Sequence, residues 1–383
     1  MPKRVGYIYD RMKNKDFIRD CILKGSERKR HRWDVVIVLD DLEYYVDKVY
    51  EMVCNFDYTP TPIIHKKIFD PSSNKWRIIS VQPFYPDGIM QQLVVTAMKD
   101  ILMRGMHKYS CASIPNRGGT YALKYQRKMI QRKKKSSKYA AELDIKQFYP
   151  SIPQRYVITA LEHKIKDKKF IMLVAVIISV FPHGLKYAIK HKMTAYDIIN
   201  DKIGIDIGFY INQWLSNFLL EPIDRFINSC DGIKGECRYA DNINLFASNK
   251  RKLHRAVRAL QSRLKRLGLR LKENWQIFPI NARPLSSVGY RIARDFVLLR
   301  KRNFLRLTRQ ARRIMKKIKN HRKIPECMAR SIISRIGQLG RCNSLKIKQK
   351  YIYPIGIKRL LSIISKADRA IYGIIAIYGG CKV

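Results

Sequence analysis

The stretch RYADNINLF, from Arg238 to Phe246, is an apolar run broken at its centre by Ala-Asp-Asn. That break limits what the chain around it can be. Asp and Asn suit turns, and the aromatic and β-branched residues on either side favour extended backbone. GECRYADNINLFAS therefore reads as strand, turn and strand, with the carboxylate of Asp241 at the hairpin tip. A second segment, AAELDIKQFYPSI, reads as a compact strand that places Asp144 after apolar Leu143 and stops abruptly at Pro150. Either aspartate alone has a plain reading as a turn or cap residue. Together, on separate strands, they can share divalent cations, which take hard oxygen ligands.

The chain of 383 residues, 46% hydrophobic, is long enough for two or three structural units around a large core. Its 77 Lys+Arg against 30 Asp+Glu leave a net charge of +47. Such an excess makes the compact state repel itself, and a polyanion relieves the repulsion. Nucleic acid fits best, because each neutralised phosphate also releases counterions. A membrane surface fits less well, since the basic residues run through the whole chain and form no single amphipathic anchor. The eight cysteines make no Cys-x-x-Cys pair and no zinc spacing, and they read as reduced residues of a cytosolic protein. The start, MPKRVGYIYDRMKNKDF, has no apolar signal core. FIMLVAVIISVF, Phe170 to Phe181, is too short to span a bilayer, and IYGIIAIYGG near the end is shorter still.

Along the chain, residues 8 to 60 read as helical. After Pro60 and Pro62, IIHKKIF and KWRIISV read as a basic hairpin joined by the turn DPSSN. PDGIMQQLVVTAMKDILMRGM is helical again, and SIPNRGGTYALKYQRKMI is a glycine turn opening a helix. QRKKKSSKYA is a basic bridge to the strand that carries Asp144. Residues 155 to 181 read as helical, and 183 to 202 as a polar insertion or flexible loop. GIDIGFYINQWLSNFLLEPIDRFI reads as a glycine turn leading into one long helix. KRKLHRAVRALQSRLKRLGLRL is a basic amphipathic helix, SSVGYRIARDFVLL a last hairpin, and the chain from Lys301 is helical and very basic.

Five motifs in this order resemble those of bacterial and phage reverse transcriptases, of the diversity-generating retroelement, group II intron and retron type. LDIKQFYPSI resembles the first catalytic palm motif, GIDIGFYINQWLSN the Gly-x-x-x-Gly…Gln…Asn motif, and RYADN the Tyr-x-Asp-Asp motif. LRLKENWQIFP resembles the following lysine motif and SVGY the primer-grip hairpin; ARSIISRIGQLGRCNS is similar to the thumb segment. The resemblance covers roughly residues 70 to 345. It implies an α+β right-hand polymerase fold. Residues 1–140 would form N-terminal helices and fingers, 141–290 an antiparallel palm sheet backed by helices, and 291–383 a basic helical thumb with a C-terminal segment.

The same resemblance implies roles for single residues. Asp144 and Asp241 would hold two Mg2+ ions, or Mn2+, with the backbone carbonyl of Ile145 and the side chain of Asn242 assisting. Tyr149 would exclude a ribose 2′-hydroxyl, with Phe148 its core-facing neighbour on the opposite side of the strand. Gln213 would lie under the template–nucleotide pair, with Gly208 allowing close approach; the plainer reading of Gln213 is a polar residue at a helix start. Lys272 would protonate the leaving pyrophosphate, or is an ordinary surface lysine. Lys75 and Arg77 would grip the triphosphate, or form a generic basic strand edge. Val288, Gly289 and Tyr290 would be the primer grip.

The implied reaction is transfer of nucleotides from dNTPs to a primer, templated by RNA. The partners are then a template or non-coding RNA and an RNA–DNA duplex, with an accessory protein or a second copy left open and no membrane. The sequence departs from the pattern at Gly88, where relatives carry Arg, at Asn212 in place of Ser, and above all at Asn242 in place of the second tip Asp. Asn keeps an oxygen acceptor and loses one negative charge, which reads as an active but retuned site. Three functions fit: a retroelement polymerase copying one dedicated RNA, a reverse transcriptase of anti-phage defence acting with a non-coding RNA, and a silent RNA-binding scaffold.

Overall fold

A computed structural model describes residues 4–70 and 75–366. The turn expected at Pro71–Asn74, the segment IYGIIAIYGG and Cys381 lie outside the described residues. The chain divides into two compact units. The described residues up to Ala122, with Tyr139–Ile277, form the first; Leu123–Lys138, with the described residues from Phe278 onward, form the second.

The first unit opens with four helices, α1 (Ile8–Arg11), α2 (Lys15–Ser26), α3 (Trp33–Asp40) and α4 (Leu42–Cys54). Asn14 starts α2 by accepting from Phe17 N, which satisfies one of the free donors of the first turn. Strands β1 (Ile64–Asp70) and β2 (Lys75–Val81) pair antiparallel from Ile64↔Val81 to Asp70↔Lys75. Most of this hairpin is exposed, Ile64, Ile68, Trp76 and Ile78 included. Its base is anchored by buried Asp87, which accepts from Tyr58 Oη at 2.9 Å and from Thr61 Oγ1 at 2.6 Å. Helix α5 (Ile89–Met103) buries eleven of its fifteen residues, Gln91 and Gln92 among them, and leaves Asp100 exposed.

Helix α6 (Gly119–Arg127) leads to β3 (Tyr139–Asp144). The expected strand ends at Asp144, and the chain turns at once into the short helix α7 (Phe148–Ser151). Phe148 and Tyr149 therefore do not face opposite sides of a strand; their ring centroids lie 5.4 Å apart on one helical turn. Gln147, in the left-handed region at φ 46°, makes the change of direction.

The single helix expected over 155 to 181 is two, α8 (Gln154–Glu162) and α9 (Lys168–Ser179), the second started by the Asp167 side chain. The expected polar insertion is not a loop. It folds as α10 (Gly184–Lys190) and α11 (Ala195–Ile199), which bury Leu185, Ala188, Ile198 and Ile199; Thr194 and Asp197 form a capping box. Four apolar residues at helical spacing were enough to dock a segment that is polar on average. The long helix expected after Gly208 is also two, α12 (Tyr210–Leu219) and α13 (Glu221–Ser229). Pro222 sits in the first turn of α13, where its missing N–H costs nothing.

Strands β4 (Ile233–Tyr239) and β5 (Asn242–Ala247) form the expected hairpin, and the sheet order is β4-β5-β3. Helix α14 (Lys250–Arg266) packs Leu253, Val257, Leu260 and Leu264 inward and leaves its basic face in solvent. Strand β6 (Gln276–Pro279) carries the chain from the first unit into the second.

In the second unit, β7 (Leu285–Ser287), β8 (Tyr290–Ile292) and β9 (Val297–Leu299) make a three-stranded antiparallel meander, one strand more than the hairpin expected. Helices α15 (Lys301–Lys319) and α16 (Glu326–Leu339) follow; α15 buries Leu307, Ala311 and Ile314 and exposes a basic face. Arg294 ties the Leu123–Lys138 segment to the rest of this unit. It donates to Ile130 O at 2.6 Å, Ser137 Oγ at 2.9 Å, Ser137 O at 2.8 Å and Asn281 Oδ1 at 2.9 Å. Among the described residues no helix is long and apolar enough to cross a membrane.

Candidate active site

The register of the sheet brings the two aspartates together. β3 pairs with β5 so that Asp144 lies opposite Asn242, and Ile145 N donates to Asp241 O at 3.1 Å. The turn between β4 and β5 holds only Ala240 and Asp241, with Ala240 in the left-handed region at φ 56°. This tight turn fits the strand twist and presents the Asp241 side chain beside Asp144. Burial, and then the negative charge of Asp144, push the Asp241 carboxyl above the usual carboxylate range.

Lys272 completes the group. Its backbone N donates to Asp144 O at 2.8 Å, and its ammonium lies 2.6 Å from Asp144 Oδ1. That ion pair occupies Asp144 Oδ1. Two neighbouring carboxylates, one of them disfavoured as an anion by burial and like charge, with one cation already drawn in, make a donor set suited to divalent ions. Asn242 Nδ2 donates to Asp241 Oδ1 at 3.1 Å, so the amide offers its nitrogen to the neighbouring carboxylate.

Beneath the tip lies a network that the sequence did not announce. Arg238 is fully buried. Its Nε and Nη2 bind Asp224 Oδ1 and Oδ2, each at 2.7 Å; its Nη1 donates to Asn217 Oδ1 at 2.9 Å and Ala240 O at 3.2 Å; its Nη2 also donates to Ser110 Oγ at 2.6 Å. One guanidinium thus holds the tip turn and ties β4 to α12 and α13. Arg238 stands in the sequence as one of three charged residues of β4, and its meaning depends on Asp224, which follows from no local pattern. Asp224→Ala should cost about 3–5 kcal/mol, because it leaves a buried charge without its partner. Urea unfolding measures this; a loss below about 1 kcal/mol would show that Asn217 and Ser110 suffice.

His107, Asp224 and Glu236 place donor atoms within 4.8 Å of one another, a composition that could hold a metal ion. Both oxygens of Asp224 are taken by Arg238, so a cation there would have to displace a buried guanidinium. The cluster instead extends the polar network: Asn228 Nδ2 donates to Glu236 Oε2 at 2.8 Å. Burial, and then the charge of Asp224, push the Glu236 carboxyl well above its ordinary value of 4.5. The folded chain therefore keeps a proton that the unfolded chain releases above that value. Stability from this group is full at low pH and falls as pH rises toward the raised native value. Glu236→Gln should gain stability relative to the parent as pH rises above the ordinary value of 4.5, read by denaturation at a series of pH values. Parallel pH curves would show that Glu236 is ionised.

Tyr149 is partly buried, and its hydroxyl is pushed up by burial, with Asp241 adding to the shift and Ser216 opposing it. Gln213 is in the first turn of α12, half-buried, and its carbonyl accepts from Asn217 Nδ2 at 3.0 Å. Gly208 does allow a close approach, but of protein backbone. At φ +127° a Cβ there would lie 2.2 Å from Ser80 O, where the chain passes β2. On the β1–β2 hairpin Lys75 is exposed, while Arg77 Nε is bound to Asp70 Oδ2 at 3.0 Å. In the second unit Val288 and Gly289 form the two-residue turn between β7 and β8, both with positive φ (42° and 88°). A β-branched residue is rare in that conformation. Gly289 O accepts from Arg300 N at 2.9 Å, and Tyr290 Oη donates to Gln338 O at 3.1 Å.

Compared with known proteins, residues 64–290 match the family described as reverse transcriptase (RNA-dependent DNA polymerase). No curated protein matches the chain. Among solved structures, apo telomerase from Candida tropicalis truncated of its C-terminal domain aligns at 13% identity and a TM-score of 0.42, over 64% of this chain and 55% of that one. The apo telomerase of the same organism aligns at 14% identity and 0.42, over 80% and 62%. Telomerase from Candida albicans in complex with a TWJ fragment of telomeric RNA aligns at 11% identity and 0.43, over 85% and 67%. The chain thus spans less than two thirds of the length of the first two.

Proposed function

The chain belongs to the reverse transcriptase family and has its right-hand polymerase fold, and from that premise we propose that it is an active RNA-directed DNA polymerase that copies a dedicated RNA. The observation that carries this reading is the adjacency of Asp144 and Asp241, set by the pairing of β3 with β5. Asp144, Asp241 and the carbonyl of Ile145 would hold two Mg2+ ions, with Mn2+ the alternative. Ions held there would supply Lewis acidity toward a primer 3′-hydroxyl and positive charge for a departing pyrophosphate.

The chain's own residues do the rest. Lys272 Nζ carries a proton beside the carboxylates and can pass it to a pyrophosphate oxygen once nucleotide binding draws it from Asp144. Lys75 and Arg77 supply cationic donors for a triphosphate; Arg77 must first leave Asp70 or share it. Gln213 and Gly208 support the templating pair through α12 and its entry turn, and the Val288–Tyr290 turn would meet the primer. Tyr149, with Ser216 and Asp241 in its surroundings, would meet the sugar.

Primer extension on an RNA template, with dNTPs across a metal titration, tests the proposal. Synthesis that depends on metal and template supports it; none at any metal concentration leaves an RNA-binding scaffold. RNA recovered with the purified protein identifies the template. In the same assay Tyr149→Ala should raise rNTP incorporation relative to dNTP by at least about tenfold, the value of 1.4 kcal/mol of steric exclusion. Unchanged discrimination would place the sugar contact elsewhere.

A further inference from the structure

The basic bridge of the sequence has no part in the chemistry above, yet it lines a cavity. In the second unit Lys134, Lys135 and Lys138 face Asn281, Arg291 and Phe296 across a cavity of about 760 Å3. All four cations are exposed, and none has a carboxylate partner among the described residues. One carboxylate, Asp295, also lines the space. The walls are held in place by Arg294, whose four hydrogen bonds span Ile130, Ser137 and Asn281. Gln131 Nε2 adds a bond to Ala293 O at 3.2 Å. Phe296, on the rim, is 38% exposed.

We propose that this cavity is a second RNA-binding site, which takes an unpaired nucleotide of a single-stranded RNA segment. The cations receive the phosphates on either side, and Phe296 stacks on the base. Four unpaired cations around a concavity hold a field that an anion relieves, and the volume suits one or two nucleotides. The ring selects among anions. It has a face to offer only to a planar group, and a base in a duplex is already stacked on its neighbours. A lipid surface is disfavoured, because the cations line a concavity and not a flat amphipathic face. The site uses neither the carboxylate pair nor metal, so it stands apart from polymerisation.

The experiment is carried out on the full chain without dNTPs or divalent metal, so that failure of polymerisation and failure of this site are separate results. Binding of an unstructured single-stranded RNA is measured over a salt series, for the parent, Phe296→Ala, and Lys134→Glu with Lys138→Glu. Phe296→Ala should weaken binding by about 5- to 150-fold and leave the salt slope unchanged. The double lysine variant should weaken binding and reduce the slope by about 1.4, two phosphate contacts on a single strand. A 4-thiouridine-substituted RNA should crosslink to the peptide carrying Phe296. Unchanged affinity of Phe296→Ala, or crosslinks confined to other peptides, would overturn the proposal. So would equal competition by free nucleoside monophosphate, which marks a small-molecule pocket. Loss of binding to phosphatidylserine vesicles with RNA binding intact would mark a membrane contact instead.

Discussion

Asp144→Ala and Asp241→Ala should each lower primer extension by about 10³-fold or more, because each removes several kcal/mol of charge stabilisation at the reacting phosphate. No neighbour replaces either ligand. Asn242 already spends its amide nitrogen on Asp241, and the ammonium of Lys272 repels a metal. Asn242→Asp is expected to act in the opposite direction. It replaces a hydrogen-bond donor to Asp241 with a second carboxylate, which strengthens the pull on hard cations. The concentration of Mg2+ at half-maximal rate should fall by about tenfold, the factor given by 1.4 kcal/mol of added attraction. The cost appears without metal. Asp241 is already pushed up by burial and by Asp144, and a third carboxylate adds repulsion. Metal-free Asn242→Asp should therefore be less stable than the parent at neutral pH, and metal should restore it. The four proteins are compared by primer extension over a Mg2+ and Mn2+ titration. An inactive Asn242→Asp would mean that the amide nitrogen has a required role at the tip. A parent silent at every metal concentration beside an active Asn242→Asp would identify a natural scaffold.

RNA binding should fall by about 10³–10⁵ between 50 and 200 mM salt, the loss expected when six to ten phosphates are neutralised. The charge of +47 motivates this, and the structure shows where part of it lies. The basic residues of α14 and α15 are turned to solvent, while their apolar faces are buried. Equilibrium binding at a series of salt concentrations gives the slope directly. A nearly flat titration would show that the charge serves another purpose.

Much of the site was legible in the sequence because its signals are local. Asp241 and Asn242, turn-forming residues between stretches that favour extended backbone, mark a hairpin. The spacing of Leu253, Val257, Leu260 and Leu264 makes a one-sided helix. The excess of lysine and arginine makes a polyanion the expected partner whatever the fold. The boundaries were less legible. The strand through Asp144 was extended to Pro150, since nothing local marks Gln147 as the residue that takes the left-handed conformation. The segment 183 to 202 looked polar on average, and only the neighbouring helices show that its few apolar residues have a surface to bury against.

Tertiary structure alone decided the contacts that cross long stretches of chain. Asp144 meets Asp241 because β3 pairs with β5 in one register, and a shift of one residue would turn every side chain of β3 to the other face. Arg238 is a buried strut because Asp224, Asn217 and Ser110 arrive from three other segments. Gly208 is required by Ser80 O, a backbone atom far away in sequence. A local pattern follows from the sterics and hydrogen bonding of neighbouring residues. The partner of a buried charge, or the residue opposite on the next strand, follows only from packing the whole core.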